Sequence, residues 1–463
     1  MQTLAQAILS NKIKNVQAFL SYGAEVNQID EYGFTPLIEA AIMDNVEIAT
    51  LLLEQGANPN LQGVTGATPL HWAAENNNLE FCKLLVKQGA DVNACNFSGM
   101  PVLVMPALRH QTPLRRFLIE SGADPLFSQD YINTKLLGHI FELVGHGTIV
   151  NPHNKLVEVD IEGFILEVTL GIVYEAVTQY QHHFAGRQMR QYAGLITVIA
   201  NIVKTAEQLI KFQQYRVDLR KNMKTIDELI KQEPLLIPVG YEGHAITFIR
   251  LGDIWAKIDR REDSRQFDHI MFYKVGNPEN LTPDFVKSLM YIRQSDEFIN
   301  DELNDYLGLT PVTELKVEAQ ISGNCSWANV EASIPALLFL LLSQVDTTTS
   351  SMSKQKTQAL QFFHGWREWN KKRALDFCIQ RFNEGDAIRK ACNAEILAAI
   401  LFQRCNINET ADTQRIESIL KVLLNSKYDY LLRNYLHTYY FQRPTEEGRR
   451  FYELLKHYGF KTK

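Results

Sequence analysis

Gly-Ala recurs at Gly23, Gly56, Gly89 and Gly122, each 33 residues from the next, and Thr-Pro-Leu occurs at Thr35 and again at Thr68. No other feature restricts the fold as much. A unit of this size cannot bury its own apolar face, so a fixed period of this length means a stacked solenoid. Between these marks lie two short helical patterns, Leu37, Ala40 and Ala41, then Ile48, Leu51 and Leu52, followed by a turn into Ala-Asn-Pro-Asn or Ala-Asp-Val-Asn.

These residues resemble ankyrin repeats, with Gly66, Thr68, Pro69, Leu70 and His71 matching the best-marked part of that motif. Four repeats cover roughly residues 1–130. The first lacks its leading turn, and the last has Pro101-Val102-Leu103 in place of Thr-Pro-Leu, as expected of caps. The resemblance implies a concave recognition surface and gives His71 a structural role between neighbouring repeats. Tyr32 and Phe97, at the loop tips, are the expected contact anchors, for a partner or for the next domain. Asn93, at the end of Leu85–Asn93, also resembles the hairpin asparagine that asparaginyl hydroxylases modify. An unmodified turn residue is the competing reading.

Composition narrows the function classes. A net charge of -6 over 463 residues, with 46% apolar and 22% charged side chains, gives no electrostatic footprint for nucleic acid. The six cysteines form no CxxC pair and no zinc spacing, and His182-His183 has no third ligand at metal spacing, so neither a metal nor a cofactor is expected. The most apolar run, Ala336–Leu342, is too short to span a bilayer. The N-terminal residues lack the pattern of a cleavable signal peptide. Oligomeric state is not legible.

Chemistry points to the stretch from Gln320 to Asn329, Gln-Ile-Ser-Gly-Asn-Cys-Ser-Trp-Ala-Asn. Cys325 follows a turn signal and opens an amphipathic run, which places it at a helix N-terminus. There the helix dipole and unpaired N–H groups favour the thiolate. The competing reading is a small buried hydrophobe. Upstream, Gly252-Asp253 separates two alternating runs and reads as a two-residue hairpin. Pairing Leu251 with Ile254 then sets Ile246 opposite Asp259 and His244 opposite Arg261. His244 and Asp259 become diagonal neighbours on one face, within about 7–8 Å. Asp263 has the same parity and is the reserve acid.

The order histidine, acid, Gln320, then Cys325 five residues later resembles the clan CE cysteine peptidases, which include the ubiquitin-like-protein proteases and the YopJ acyltransferases. The resemblance implies Cys325 as nucleophile, His244 as general base, Asp259 as orienting acid and Gln320 as an oxyanion-hole donor. Two positions depart from the family: Ala245 follows the histidine where an aromatic is common, and Ser326 follows the cysteine where glycine is common. The expected fold is multidomain α+β. An all-α ankyrin solenoid (1–130) precedes a cysteine-peptidase-like α+β domain (131–345) with a long helical insertion (about 171–231), and a helical region follows (346–463). Val157 to Leu170 reads as strand, and the Thr/Ser cluster from Thr347 reads as a linker.

The whole arrangement is similar to ankyrin-repeat effectors of Legionella, which implies delivery by a type IV secretion system into the host cytoplasm or nucleus. Two function classes follow. One is a thiol hydrolase, or a YopJ-type acyltransferase, acting on a protein brought in by the repeats. The other is a non-catalytic effector that binds a host protein and retains the peptidase fold.

Overall fold

The computed structural model describes residues 3–163, 165–213, 219–241, 243–261, 270–320, 323–345 and 349–461. Its first part is four helix pairs: α1 (Leu4–Leu9) with α2 (Ile13–Ser21), α3 (Pro36–Ile42) with α4 (Val46–Glu54), α5 (Pro69–Glu75) with α6 (Leu79–Lys87), and α7 (Val104–Leu108) with α8 (Thr112–Glu120). Helices this short are not stable alone. Stacking supplies what they lack, through a continuous core that includes Leu37, Ile48, Leu70, Phe81 and Leu114.

Polar side chains fix the spacing of the stack. The Thr68 N–H donates to His71 Nδ1 at 3.1 Å, and His71 Nε2 reaches the Met100 carbonyl of the next repeat at 3.2 Å. Burial lowers the His71 pKa to about 4, so the ring stays neutral. A ladder of asparagines crosses the turns: Asn27, Asn60 and Asn93 donate to the carbonyls of Gly56, Gly89 and Gly122. Each also accepts a backbone N–H from the next repeat at 2.8 Å, from Asn58, Asp91 and Asp124. Asn93 therefore has the same inter-repeat contacts as its two counterparts.

Asp124 caps α9 (Pro125–Ile140), which packs against a hairpin of β1 (His146–Val150) and β2 (Leu156–Asp160). The strand expected over Val157–Leu170 ends at Asp160. From Leu166 the chain forms α10 (Leu166–His182), because Leu170, Val173, Val177 and Tyr180 recur at helical spacing and reach the core. Two further helices, α11 (Ala193–Lys211) and α12 (Leu219–Ile230), lead into a five-stranded antiparallel sheet. Its strands are β3 (Leu235–Tyr241), β4 (His244–Leu251), β5 (Ile254–Ile258), β6 (Ile270–Lys274) and β7 (Thr310–Leu315), paired in sequence order. β7 has no counterpart in the sequence reading. Pro311 sits beside the register shift at the sheet edge, where a missing N–H leaves the inner ladder intact.

Between β6 and β7 lie α13 (Pro283–Tyr291), capped by the Thr282 hydroxyl, and α14 (Leu303–Leu307). The central helix, α15 (Cys325–Val345), packs on β4 and β5 and against α10, α11 and α16 (Thr349–Glu384). By length and composition α15 and Met189–Lys211 are apolar enough to cross a bilayer, but 94% of the α15 window is buried in the core. The run Ala336–Leu342 is part of that buried helix.

α16 departs from the linker expectation: residues 346–348 are outside the described set, and Thr349 onward forms the first turns of a 36-residue helix. Its Ala359, Phe362, Phe363 and Trp366 join the core beneath the sheet. Farther along, Leu375 and Cys378 join a second core with α17 (Ala387–Arg404), α18 (Thr410–Leu423), α19 (Asp429–Leu436) and α20 (Glu446–His457). The boundary expected at 345/346 thus falls between two helices that share one core.

Candidate active site

Gly252, with φ of 57°, makes the tight turn of the β4–β5 hairpin, and the register runs from Leu251 opposite Ile254 to Thr247 opposite Ile258. Continuing it brings the first residue of β4 to the residue just past the end of β5. His244 Nε2 lies 3.0 Å from Asp259 Oδ1. The other Asp259 oxygen accepts from Arg261 Nε at 3.1 Å, and the Arg261 guanidinium lies over the Tyr241 ring at 5.8 Å. Tyr241 in turn packs edge-on against His244, with ring centroids 5.5 Å apart. An aromatic neighbour for the histidine thus comes from the paired strand, and position 245 can be alanine.

Cys325 is the first residue of α15, and its thiol stands beside the His244 imidazole, close enough for each to shift the other's pKa. Asp259 occupies Nε2, which leaves Nδ1 as the nitrogen for the sulfur. Burial alone would raise the Cys325 pKa, but the hydrogen bond and charge of His244, with the N–H groups of Ala245 and Ser326, hold it below the ordinary thiol value. Both positions that depart from the peptidase pattern act here through their backbones. Burial likewise opposes the charged forms of the other two groups. The Asp259 and Cys325 contacts nevertheless raise His244, and His244, Arg261 and Lys257 lower Asp259. The other five cysteines contrast sharply: burial pushes Cys82, Cys378, Cys392 and Cys405 to about 12 and also raises Cys95.

The frame that holds these groups was not read from the sequence. Asn329, one turn along α15 from Cys325, donates to the Ala245 carbonyl at 2.6 Å and accepts the Arg260 N–H at 2.9 Å. One side chain ties the helix to both strands, beside His244 and beside Asp259. Asn324, immediately before the cysteine, pairs with His139 of α9, whose ring stacks on Trp327 at 6.0 Å. Burial lowers the His139 pKa to about 4, so this ring is neutral. Asn329 lies in the quoted cysteine stretch, but no sequence rule distinguishes it from a surface asparagine.

Beneath the strand ends is a buried ionic cluster. Glu142 accepts from Arg260 at 3.1 Å and from Arg367 at 2.9 Å, and Arg367 Nε lies 2.9 Å from Glu331. Two cations face two carboxylates, which limits the cost of burying them. Arg260 also donates to the Glu318 carbonyl at 2.7 Å, and its own carbonyl accepts the Gln320 N–H at 2.7 Å. Gln320 is thereby tied by its backbone to the residue next to Asp259. Its Oε1 is buried with no hydrogen-bond partner among the described residues. Asp263 lies outside the described residues.

The remaining candidates lie elsewhere. Tyr32 and Phe97 are 64% and 71% exposed at the ankyrin turns. The His183 side chain caps Ala185 and packs on Trp369, and no metal-binding group of three side chains occurs among the described residues. Lys371 and Lys372 pair with Glu368 and Asp376 on their own helix. A cavity of about 830 Å³, lined by Tyr180, Trp369 and Arg415 among others, includes none of Cys325, His244 and Asp259.

Comparison with known families places ankyrin repeats (three copies) at residues 1–63 and a further ankyrin repeat at residues 65–97. A search of curated proteins found no match. Among solved structures, the chain is similar to one described as the structure of the Legionella effector AnkH, with 38% identity and a TM-score of 0.82. That similarity covers 99% of this chain and 98% of the other.

Proposed function

Since the chain belongs to the family of the Legionella effector AnkH, we propose that it is a translocated effector that holds a host protein on its ankyrin repeats and acts on a protein substrate with a Cys-His-Asp thiol site. The observation that carries the catalytic half is the alignment of Cys325, His244 and Asp259 at the head of α15, with His244 bonded to Asp259 at 3.0 Å and beside the Cys325 thiol. Delivery by type IV secretion into the host cytoplasm or nucleus is part of the same reading and rests on the family.

In this mechanism Asp259 accepts the Nε2–H of His244, so Nδ1 takes the thiol proton. The Cys325 thiolate attacks the carbonyl carbon of an acyl group, and the carbonyl electrons move onto its oxygen. Gln320 and the backbone N–H groups at the head of α15 are assigned to that oxyanion, a role typically worth 10²–10³ in rate per donor. The imidazolium then protonates the leaving amine, giving a thioester on Cys325. Water, deprotonated by His244, attacks the thioester and releases the acid with the free thiol. An amine or hydroxyl in place of that water gives acyl transfer of the YopJ type.

Labelling with a ubiquitin-type electrophilic probe and with a general thiol electrophile tests the reading. Cys325 should react first among the six cysteines, and Cys325→Ala should abolish turnover while leaving host-protein capture intact. A Cys325 that reacts no faster than Cys95 would sink the enzyme and favour the non-catalytic binding effector.

A further inference from the structure

Glu39 is a carboxylate where the repeat calls for something else. It stands 33 residues before Trp72 and 66 before Met105, the equivalent points of the next two repeats, which carry large apolar side chains. Only 3% of Glu39 is exposed, and no donor group among the described residues reaches its Oε2. Asp30 lies against it. Asp30 Oδ1 accepts the N–H groups of Tyr32 at 3.0 Å and Phe34 at 2.7 Å, but its Oδ2 is buried without a partner. Burial of Glu39, together with Asp30, raises the Glu39 pKa to about 8. Glu39 therefore keeps its proton at neutral pH.

Such a pair costs stability and gives the solenoid nothing that Trp72 or Met105 does not. Both carboxyls line one cavity of about 410 Å³ between α1 and the turn that leads into α3. The other ionisable groups lining it are Glu25, Glu31 and Tyr32, and no lysine, arginine or histidine lines it. Tyr32 presents a ring that is 64% exposed, and Phe34 lines the cavity beside it.

We propose that this cavity is a subsite for an arginine side chain of the protein held by the repeats, with the guanidinium bridging Glu39 Oε2 and Asp30 Oδ2 against the Tyr32 ring. The inference rests on the reading of the array as a partner surface. A guanidinium offers a planar fork of donors to two carboxyl groups and stacks on aromatic faces, which a compact ammonium does less well. Its charge replaces the Glu39 proton, so binding releases about one proton near neutral pH. No covalent step is involved.

The test uses the full-length chain, methyl-labelled at Leu and Ile, titrated with N-acetyl-arginine methylamide. Its citrulline and lysine counterparts serve as comparisons. Saturable shifts are expected at Leu4, Leu9 and Ile29, which line the cavity, with the citrulline compound at least tenfold weaker. From pH 7 to pH 9 the arginine affinity should rise about tenfold, as the group near pH 8 gives up its proton. Glu39→Gln should remove both the binding and that pH dependence; if it fails to fold, the citrulline comparison on the unaltered chain decides. No saturable shift, equal citrulline binding, or tighter lysine binding overturns the proposal. None of these outcomes touches the broader reading of the array, which is read separately by host-protein capture after deletion of repeats.

Discussion

The side-chain oxygen of Asn329 accepts the backbone N–H of Arg260 at 2.9 Å, while its amide donates to Ala245 on the neighbouring strand. Because Cys325 lies one helical turn before Asn329, this bond sets the height of the sulfur against both strand ends. Asn329→Ala leaves the buried Arg260 N–H unpaired, at about 1–3 kcal/mol, and the part-buried Ala245 C=O unpaired at less. The expected result is a lower denaturation midpoint together with slower alkylation of Cys325 at neutral pH. Asn329→Asp keeps the acceptor and loses the donor, so it should fall between the two. An alanine variant with unchanged alkylation would reduce Asn329 to an ordinary core contact.

Cys325 should keep reacting with iodoacetamide in mildly acidic buffer, where Cys95 and Cys405 are silent. Its folded pKa lies below the ordinary thiol value while theirs are raised. His244→Ala removes the main favourable contact and should move the pH midpoint of alkylation upward. An unmoved midpoint would separate the two residues.

Asp259 and His244 also give stability a defined pH dependence. The Asp259 pKa is depressed on folding, so its contribution is present above the unfolded carboxyl value and is lost as pH falls through the folded one. The His244 pKa is raised, so its contribution is complete below the unfolded imidazole value and is lost as pH rises through the folded one. Thermal midpoints should therefore be highest between those limits, and Asp259→Asn should flatten both limbs. The same variant should slow thioester formation by on the order of 10²–10⁴, as a wrong tautomer does in other triads.

Arg367 bridges Glu142 and Glu331 in the buried cluster. Arg367→Met leaves Glu331 with Arg260, and Glu142 with Arg260 and Arg404, and should cost about 3–5 kcal/mol in a urea denaturation series. A cost below 1 kcal/mol would mean that water already screens the cluster.

The first two repeats should be removable. The last repeat is fused to the central body, since Arg109 pairs with Glu167 at 3.3 Å and Val104 shares a core with Phe127 and Val159. Deleting residues 1–63 should preserve Cys325 reactivity and weaken capture of host protein. Loss of thiol reactivity in that truncation would show that the whole array supports the site.

How far the sequence reaches depends on whether a relationship is local. The repeat period is written in the residues themselves, and the 33-residue stack follows from it. The hairpin turn at Gly252 sets a register, and register alone brings His244 to Asp259. No comparable rule spans the 81 residues from His244 to Cys325; the expectation that they meet came from the peptidase resemblance. Asn329, Arg260 and His139 were invisible because their partners lie on other elements. β7 was hidden by Pro311, and the start of α16 by its Thr/Ser composition, which reads as loop until tertiary packing overrides it.

α16 runs unbroken for 36 residues, roughly 54 Å at helical rise. Arg367, near its midpoint, is locked under the strand ends, while its far end is embedded in the C-terminal helices. Those helices share their core with Leu137 and Ile140 of α9 and with Trp327, two residues past Cys325. A substitution in α17 to α20 that loosens that core therefore also loosens the head of α15.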